Sequence, residues 1–197
     1  MKLSKNDFSA YIEAFLAENA KVNLISKNDE KFLWEKHIFD SLAIENFFEK
    51  YGIRKSLLDI GTGGGFPSVP VAIAYPELEV YALDSIRKKL NAIENIKSAL
   101  NLKNLHTICE RAENLTDKYE LVTSRAVASM KVLSKYASRL LSNGGYFVAY
   151  KSIKAQDEIN EALPILRKNG LKVEDIIEYN LPLEENYVRN LVVLKKY

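Results

Sequence analysis

The 197-residue chain has one cysteine, Cys109, and two histidines. A single thiol cannot build a disulfide framework, and it fits a reducing compartment. So few thiolate and imidazole ligands argue against a structural zinc site, and no metal is expected. No apolar run approaches the ~18–20 residues of a membrane span. The amino-terminal stretch is an amphipathic helical pattern carrying acids, not a secretory signal. Net charge is only +2, too little to argue nucleic-acid binding from composition, so a local basic patch would have to supply it. There is no internal repeat, no low-complexity segment and no heptad. These absences leave a soluble, cytoplasmic protein with no membrane association and a monomer as the default.

What is present is a chain that is 47% hydrophobic, enough for a real core in one domain with a small appendage. Ser4 and Ser26 each precede a helical pattern as N-caps, with an acid three positions later. The first pattern carries Phe8, Tyr11, Ile12, Phe15 and Leu16 on one face. The second is expected to run as one helix to about Lys50. From Ser56 strands and helices alternate, with strands near Leu57–Ile60, Glu79–Leu83, Leu105–Cys109, Glu120–Ser124 and Tyr146–Lys151. Asn143-Gly144-Gly145 is read as a helix stop. Two β-rich runs, Leu171–Tyr179 and Arg189–Leu194, close the chain without a helix between them. The expected fold is α/β and Rossmann-like: a mostly parallel sheet with an antiparallel last strand. Residues 1–55 form a helical extension and 56–197 the main domain, packed as one unit.

The organising stretch is Leu57–Pro70, LLDIGTGGGFPSVP. It reads as buried strand, glycine turn, helix, a unit in which glycines let a ligand approach the backbone. It is not the dinucleotide fingerprint G-x-G-x-x-G, because Phe66 takes the sixth place. Asp84 ends the next strand 23 positions after Gly61, close to the ~20-residue spacing at which an acid reaches ribose hydroxyls. A modified turn with that acid suits a nucleoside cofactor lacking a pyrophosphate, and S-adenosylmethionine is the obvious one.

Open α/β sheets bind ligands at the carboxyl ends of their strands. That rule selects Gly61–Phe66, Asp84, Glu110–Glu113, Ser124-Arg125 and Lys151. Phe66 either covers a ligand or packs under the turn. Ala112 and Glu113 either meet adenine or form a solvated loop. Arg125 lies beside cofactor and substrate, or caps a carbonyl. Arg87, Lys88, Lys89 and Lys151 form a basic rim or a solvated helix face, with Tyr150 or Phe66 as a stacking surface for a base.

Several segments together resemble the RsmG (GidB) family: Val22-Asn23-Leu24, His37-Ile38-Phe39-Asp40-Ser41-Leu42, Asp59 through Pro67, Leu83-Asp84-Ser85, Arg111-Ala112-Glu113 and Ser124-Arg125-Ala126. GTGGGFP with HIFDSL is far more specific than a glycine turn alone. Two departures stand out. The family usually has Gly-Ile-Pro at Ser68-Val69-Pro70, and Lys-Gly at Lys151-Ser152. The resemblance implies a class I methyltransferase that uses S-adenosylmethionine to methylate guanine N7 in 16S ribosomal RNA of the small subunit. It places cofactor contacts at Gly61, Phe66, Ala112, Glu113 and Arg125. Gly63, Gly65 and Asp84 complete the candidate cofactor set. His37, Arg87, Lys88, Lys89 and Lys151 are the substrate-binding candidates.

The residues agree with that chemistry. The Pro-Pro-aromatic run of exocyclic-amine methyltransferases is missing after the fourth strand. Cys109, the thiol that carbon-5 methylation would need, reads as a small core residue. Guanine N7 carries a bare lone pair, so no general base is nominated. His37 either acts at the site or orders the interface between its helix and the sheet. Two other readings stay open: a class I methyltransferase for a small molecule or protein, and a non-catalytic nucleotide-binding protein.

Overall fold

The computed structural model describes residues 3–183 and 187–197. β1 (Ser56–Ile60) is buried on both faces and lies inside the sheet, as its run of buried residues requires. Successive side chains alternate across a strand. Leu57 therefore joins one core, while Leu58 and Ile60 join another on the opposite face.

The remaining strands are β2 (Glu79–Asp84), β3 (Leu105–Cys109), β4 (Tyr119–Arg125), β5 (Leu141–Ser152), β6 (Leu171–Leu181) and β7 (Tyr187–Lys196). They lie in the order β3-β2-β1-β4-β5-β7-β6. The first five are parallel, and β7 inserts antiparallel between β5 and β6, pairing Val148 with Val193. The order reverses between β1 and β4, and a crevice opens where their connections diverge.

Helices α5 (Ser68–Ala74) and α6 (Arg87–Leu100) bury Val69, Val71, Leu90, Ile93 and Ile96 on the first face. Helices α7 (Met130–Leu140) and α8 (Ala155–Lys168) bury Leu133, Leu140, Ile159 and Leu166 on the second. Each such side chain contributes ~1.5–3 kcal/mol on burial.

The amino-terminal layer packs on the first face and shares its core. After a 3-10 turn (Lys5–Phe8), α1 (Ser9–Val22) buries Tyr11 and Phe15, and the Phe15 ring lies 5.1 Å from that of Phe66. The two cap signals hold. Ser4 N–H and hydroxyl donate to Asp7, and Ser26 Oγ accepts from the Asp29 N–H.

Two expectations need correction. The single helix from Ser26 to Lys50 is instead α2 (Lys27–Glu30), a π-helical segment (Leu33–Phe39), α3 (Asp40–Leu42) and α4 (Glu45–Tyr51). The break lies where Asp40, 1% exposed, is bound by side chains from three strands. Tertiary bonds there outweigh regular winding. Asn143-Gly144-Gly145 does not end α7, which stops at Leu140; it forms a bulge within β5. The register jumps from Tyr119↔Leu141 to Leu121↔Tyr146, and Gly144 at φ +73° absorbs the extra residues.

Candidate active site

The turn after β1 is tied to β2 by its own backbone. Thr62 N–H donates to Leu83 O and Gly63 N–H to Asp84 Oδ2, both at 2.9 Å. Asp84 Oδ1 accepts from Ile86 N–H at 2.9 Å. Each carboxylate oxygen thus spends one lone pair on the fold and keeps one for a ligand. At Gly63 (φ +58°) an added Cβ would meet only Gly61 O at 3.9 Å, so this point of the turn faces open space.

That space is a cavity of about 600 Å³ along the carboxyl ends of β1, β2, β3 and β4, within the range of small-molecule sites. Gly61, Gly63, Phe66, Asp84, Ala112, Glu113 and Arg125 all line it, as do His37 and Lys89. The structure brings these together from five separate segments. Phe66 both packs and lines: it is 4% exposed, with the His37 ring 5.0 Å away and the Arg125 guanidinium 5.1 Å from its centre.

Other candidates fall elsewhere. Gly65 is not in the wall; its added Cβ would lie 2.6 Å from Val69 Cγ2, so this glycine serves loop–helix packing. Arg87 and Lys88 are exposed on α6 outside the lining. Lys151 also stands apart, donating to Glu158 Oε1 at 2.8 Å and to Ala128 O at 3.2 Å, which pins α8 and the loop after β4. Tyr150 cannot stack on a base: it is 2% exposed, and its hydroxyl donates to Ser41 O.

Arg125 is the hub. Its Nη1 donates to Lys36 O at 3.0 Å and to Asp40 Oδ2 at 2.9 Å, and its Nη2 donates to His37 Nδ1 at 3.1 Å. A guanidinium only donates, so Nδ1 is the bare nitrogen of His37 and Nε2 carries the proton. Burial, with Arg125 beside it, pushes the imidazole down to about 4, so it is neutral at pH 7. The Arg125 fork has five N–H donors, and those three bonds leave donors to spare.

Sequence reasoning missed several residues. Tyr136 lines the cavity from α7, and its hydroxyl donates to Glu113 Oε1 at 2.9 Å. Its spacing of three from Leu133, also in the wall, was the available signal. Asp59 is fully buried behind the turn and accepts from the Thr123 hydroxyl at 3.1 Å. Arg189 reaches Asp40 Oδ1 at 3.4 Å from β7, a strand the motifs never touched.

Residues 4–188 match the family of rRNA small subunit methyltransferase G, GidB. The chain is 39% identical to the ribosomal RNA small subunit methyltransferase G of Lactobacillus johnsonii, over 98% of this chain and 83% of the relative. It is 38% identical to the protein of that name from Desulfitobacterium hafniense, over 96% and 80%. Among solved structures, N-methyltransferase NodS from Bradyrhizobium japonicum, in complex with S-adenosyl-L-homocysteine, aligns with a TM-score of 0.64 at 11% identity. That alignment covers 93% of this chain and 98% of NodS. The sheet order is the one expected of a class I methyltransferase, and the site lies at its switch point. The chain belongs to the GidB family, rRNA small subunit methyltransferase G.

Proposed function

We propose that the protein transfers a methyl group from S-adenosylmethionine to N7 of a guanine in 16S ribosomal RNA, acting as a cytoplasmic monomer. One observation carries the reading. In a chain of this family, an open glycine turn, an acid with free lone pairs and an arginine–histidine pair converge on one cavity.

The cavity residues fit the cofactor. Asp84 would take the ribose hydroxyls with its remaining lone pairs. Gly63 leaves backbone room for the amino-acid tail, while the space beside Gly61, which also lines the cavity, is filled by the Val127 side chain. Ala112 and Glu113 would flank the adenine, with Tyr136 holding the Glu113 carboxylate. When bound, the cofactor supplies an electrophilic methyl on a sulfonium.

The protein's part is positioning. Neutral guanine N7 offers a lone pair with no proton to remove. His37 is therefore not asked to act as a base; its Nδ1 is already engaged by Arg125. Holding the acceptor in line with the transferred methyl can supply ~7–11 kcal/mol in favourable cases. Lys89, in the wall, and Arg87 and Lys88 beside it place positive charge where an RNA backbone would pass.

The test is radiolabelled S-adenosylmethionine incubated with unmethylated 16S RNA, free or in small subunits, with the label mapped to bases. Label at guanine N7 is the expected result. Label on a ribose or an exocyclic amine overturns it. Ligand that binds only the native state raises the melting temperature. S-adenosylmethionine should therefore raise it and NAD should not.

A further inference from the structure

A second cavity, of about 240 Å³, adjoins the first. His37, Arg125 and Ala126 line both, so these three residues form the divide. On its far side the second cavity has Asp29 and Lys36 from the amino-terminal layer, and Tyr187 and Arg189 from β7. Tyr187 and Arg189 are two apart on the strand and so share a face. Tyr187 is 48% exposed and offers an aromatic surface at the rim.

Asp29 is held ready there. Its Oδ2 accepts from the Ser26 hydroxyl at 2.7 Å, and its backbone N–H donates back to Ser26. The nearest cation, Lys36, lies 3.6 Å from Oδ1, a loose pairing that leaves the carboxylate able to accept. The Ser26 bond holds its pKa below the usual carboxylate value, so it is ionised at neutral pH.

A purine carries its N7 edge and its N1/N2 edge on opposite sides of the ring, with position 6 between them. The divide matches that layout. With N7 turned into the first cavity, a purine laid across the divide would turn position 6 toward Arg125 and its N1/N2 edge toward the second cavity, which Asp29 lines. Guanine presents an O6 acceptor and N1–H and N2–H donors, which suits both. Adenine presents an amine at position 6 and a bare N1, which suits neither.

We propose that the target base lies across the His37–Arg125–Ala126 divide and that Asp29 accepts from its N1–H and N2–H, making Asp29 the residue that selects guanine. This rests on the N7 reading above and adds the means of base selection.

The experiment compares 16S RNA carrying guanosine or inosine at the methylated position. Inosine keeps O6 and N1–H but lacks the N2 amine. Wild-type protein should use guanosine over inosine by roughly 10–100-fold in kcat/KM, the worth of one hydrogen bond to a charged group. Asp29→Asn should lose activity on guanosine and bring the guanosine/inosine ratio close to one. Its melting-temperature shift with S-adenosylmethionine should match wild type. A wild-type enzyme indifferent to the N2 amine overturns the proposal without any variant. An Asp29→Asn protein that keeps the wild-type ratio also overturns it. If wild type fails to label N7 at all, the N7 reading has failed instead.

Discussion

Asp40 Oδ2 accepts from Arg125 Nη1 at 2.9 Å, with side-chain exposures of 2% and 12%. This buried pair joins the amino-terminal layer to β4 at the edge of the first cavity. Tyr179 donates to the other oxygen at 2.6 Å, and Arg189 stands 3.4 Å from it. One carboxylate thus serves two arginines from different strands.

Asp40→Asn should therefore be costly. Removing one partner of a buried pair leaves the other charge uncompensated, typically at ~3–5 kcal/mol. Urea unfolding should show an unfolding free energy lowered by that amount. A loss under ~1 kcal/mol would mean that water already screens the two arginines.

Gly63 and Gly65 should respond differently to alanine. At Gly63 a methyl meets open space, so Gly63→Ala pays for its positive φ, ~1–2 kcal/mol, and intrudes where ligand is expected. At Gly65 the same methyl collides with Val69 Cγ2 at 2.6 Å. Gly65→Ala should lower the melting temperature more, and Gly63→Ala should weaken S-adenosylmethionine binding more relative to its stability loss. Calorimetric titration beside thermal unfolding distinguishes the two, and equal effects would refute the assignment.

Asp84→Ala removes the carboxylate proposed to hold the ribose, and with it the acceptor for two backbone N–H groups. Cofactor affinity should fall by about 1.5–3 kcal/mol, the range for hydrogen bonds to a charged group. Unchanged affinity by titration calorimetry would place the ribose elsewhere.

Asp59 gives a pH prediction. Burial pushes its carboxyl up to about 6 from an ordinary 3.8. The native state therefore holds this proton to higher pH than the unfolded chain does. Its contribution to stability is full below about pH 4 and is lost as pH rises through 6. Asp59→Asn mimics the neutral form, so its stability relative to wild type should rise between pH 4 and 6, then level off. His37 works in the opposite direction: burial pushes it down from 6.5 to about 4, costing stability as pH falls across that window. Both proteins carry that term, so it cancels in the difference. A flat difference curve would mean Asp59 is ionised in the native state throughout.

Much of the framework was legible because the signals are local. Leu105–Cys109 falls where the alternation of strands and helices placed it. The glycine turn and Asp84 meet because parallel strands end together, and Gly63 N–H on Asp84 follows from that. The failures are places where distant contacts override a local signal. Asn143-Gly144-Gly145 carries a helix-stop composition, yet pairing with β4 resumes beyond it and makes it a bulge. Lys151 follows a strand end like a site residue, but Glu158, one helical segment on, takes its charge.

By itself the sequence determined the α/β alternation, the switch-point turn and the acid that faces it, since each is written in residues adjacent along the chain. The tertiary structure alone decided that Asp40, Arg125, Tyr179 and Arg189 form one buried cluster, that His37 is neutral with its proton on Nε2, and that Asp29 looks onto a second cavity. Those contacts join residues up to 149 positions apart. Their geometry depends on how the amino-terminal layer seats against β4 and β7, and no periodicity within a single segment encodes that.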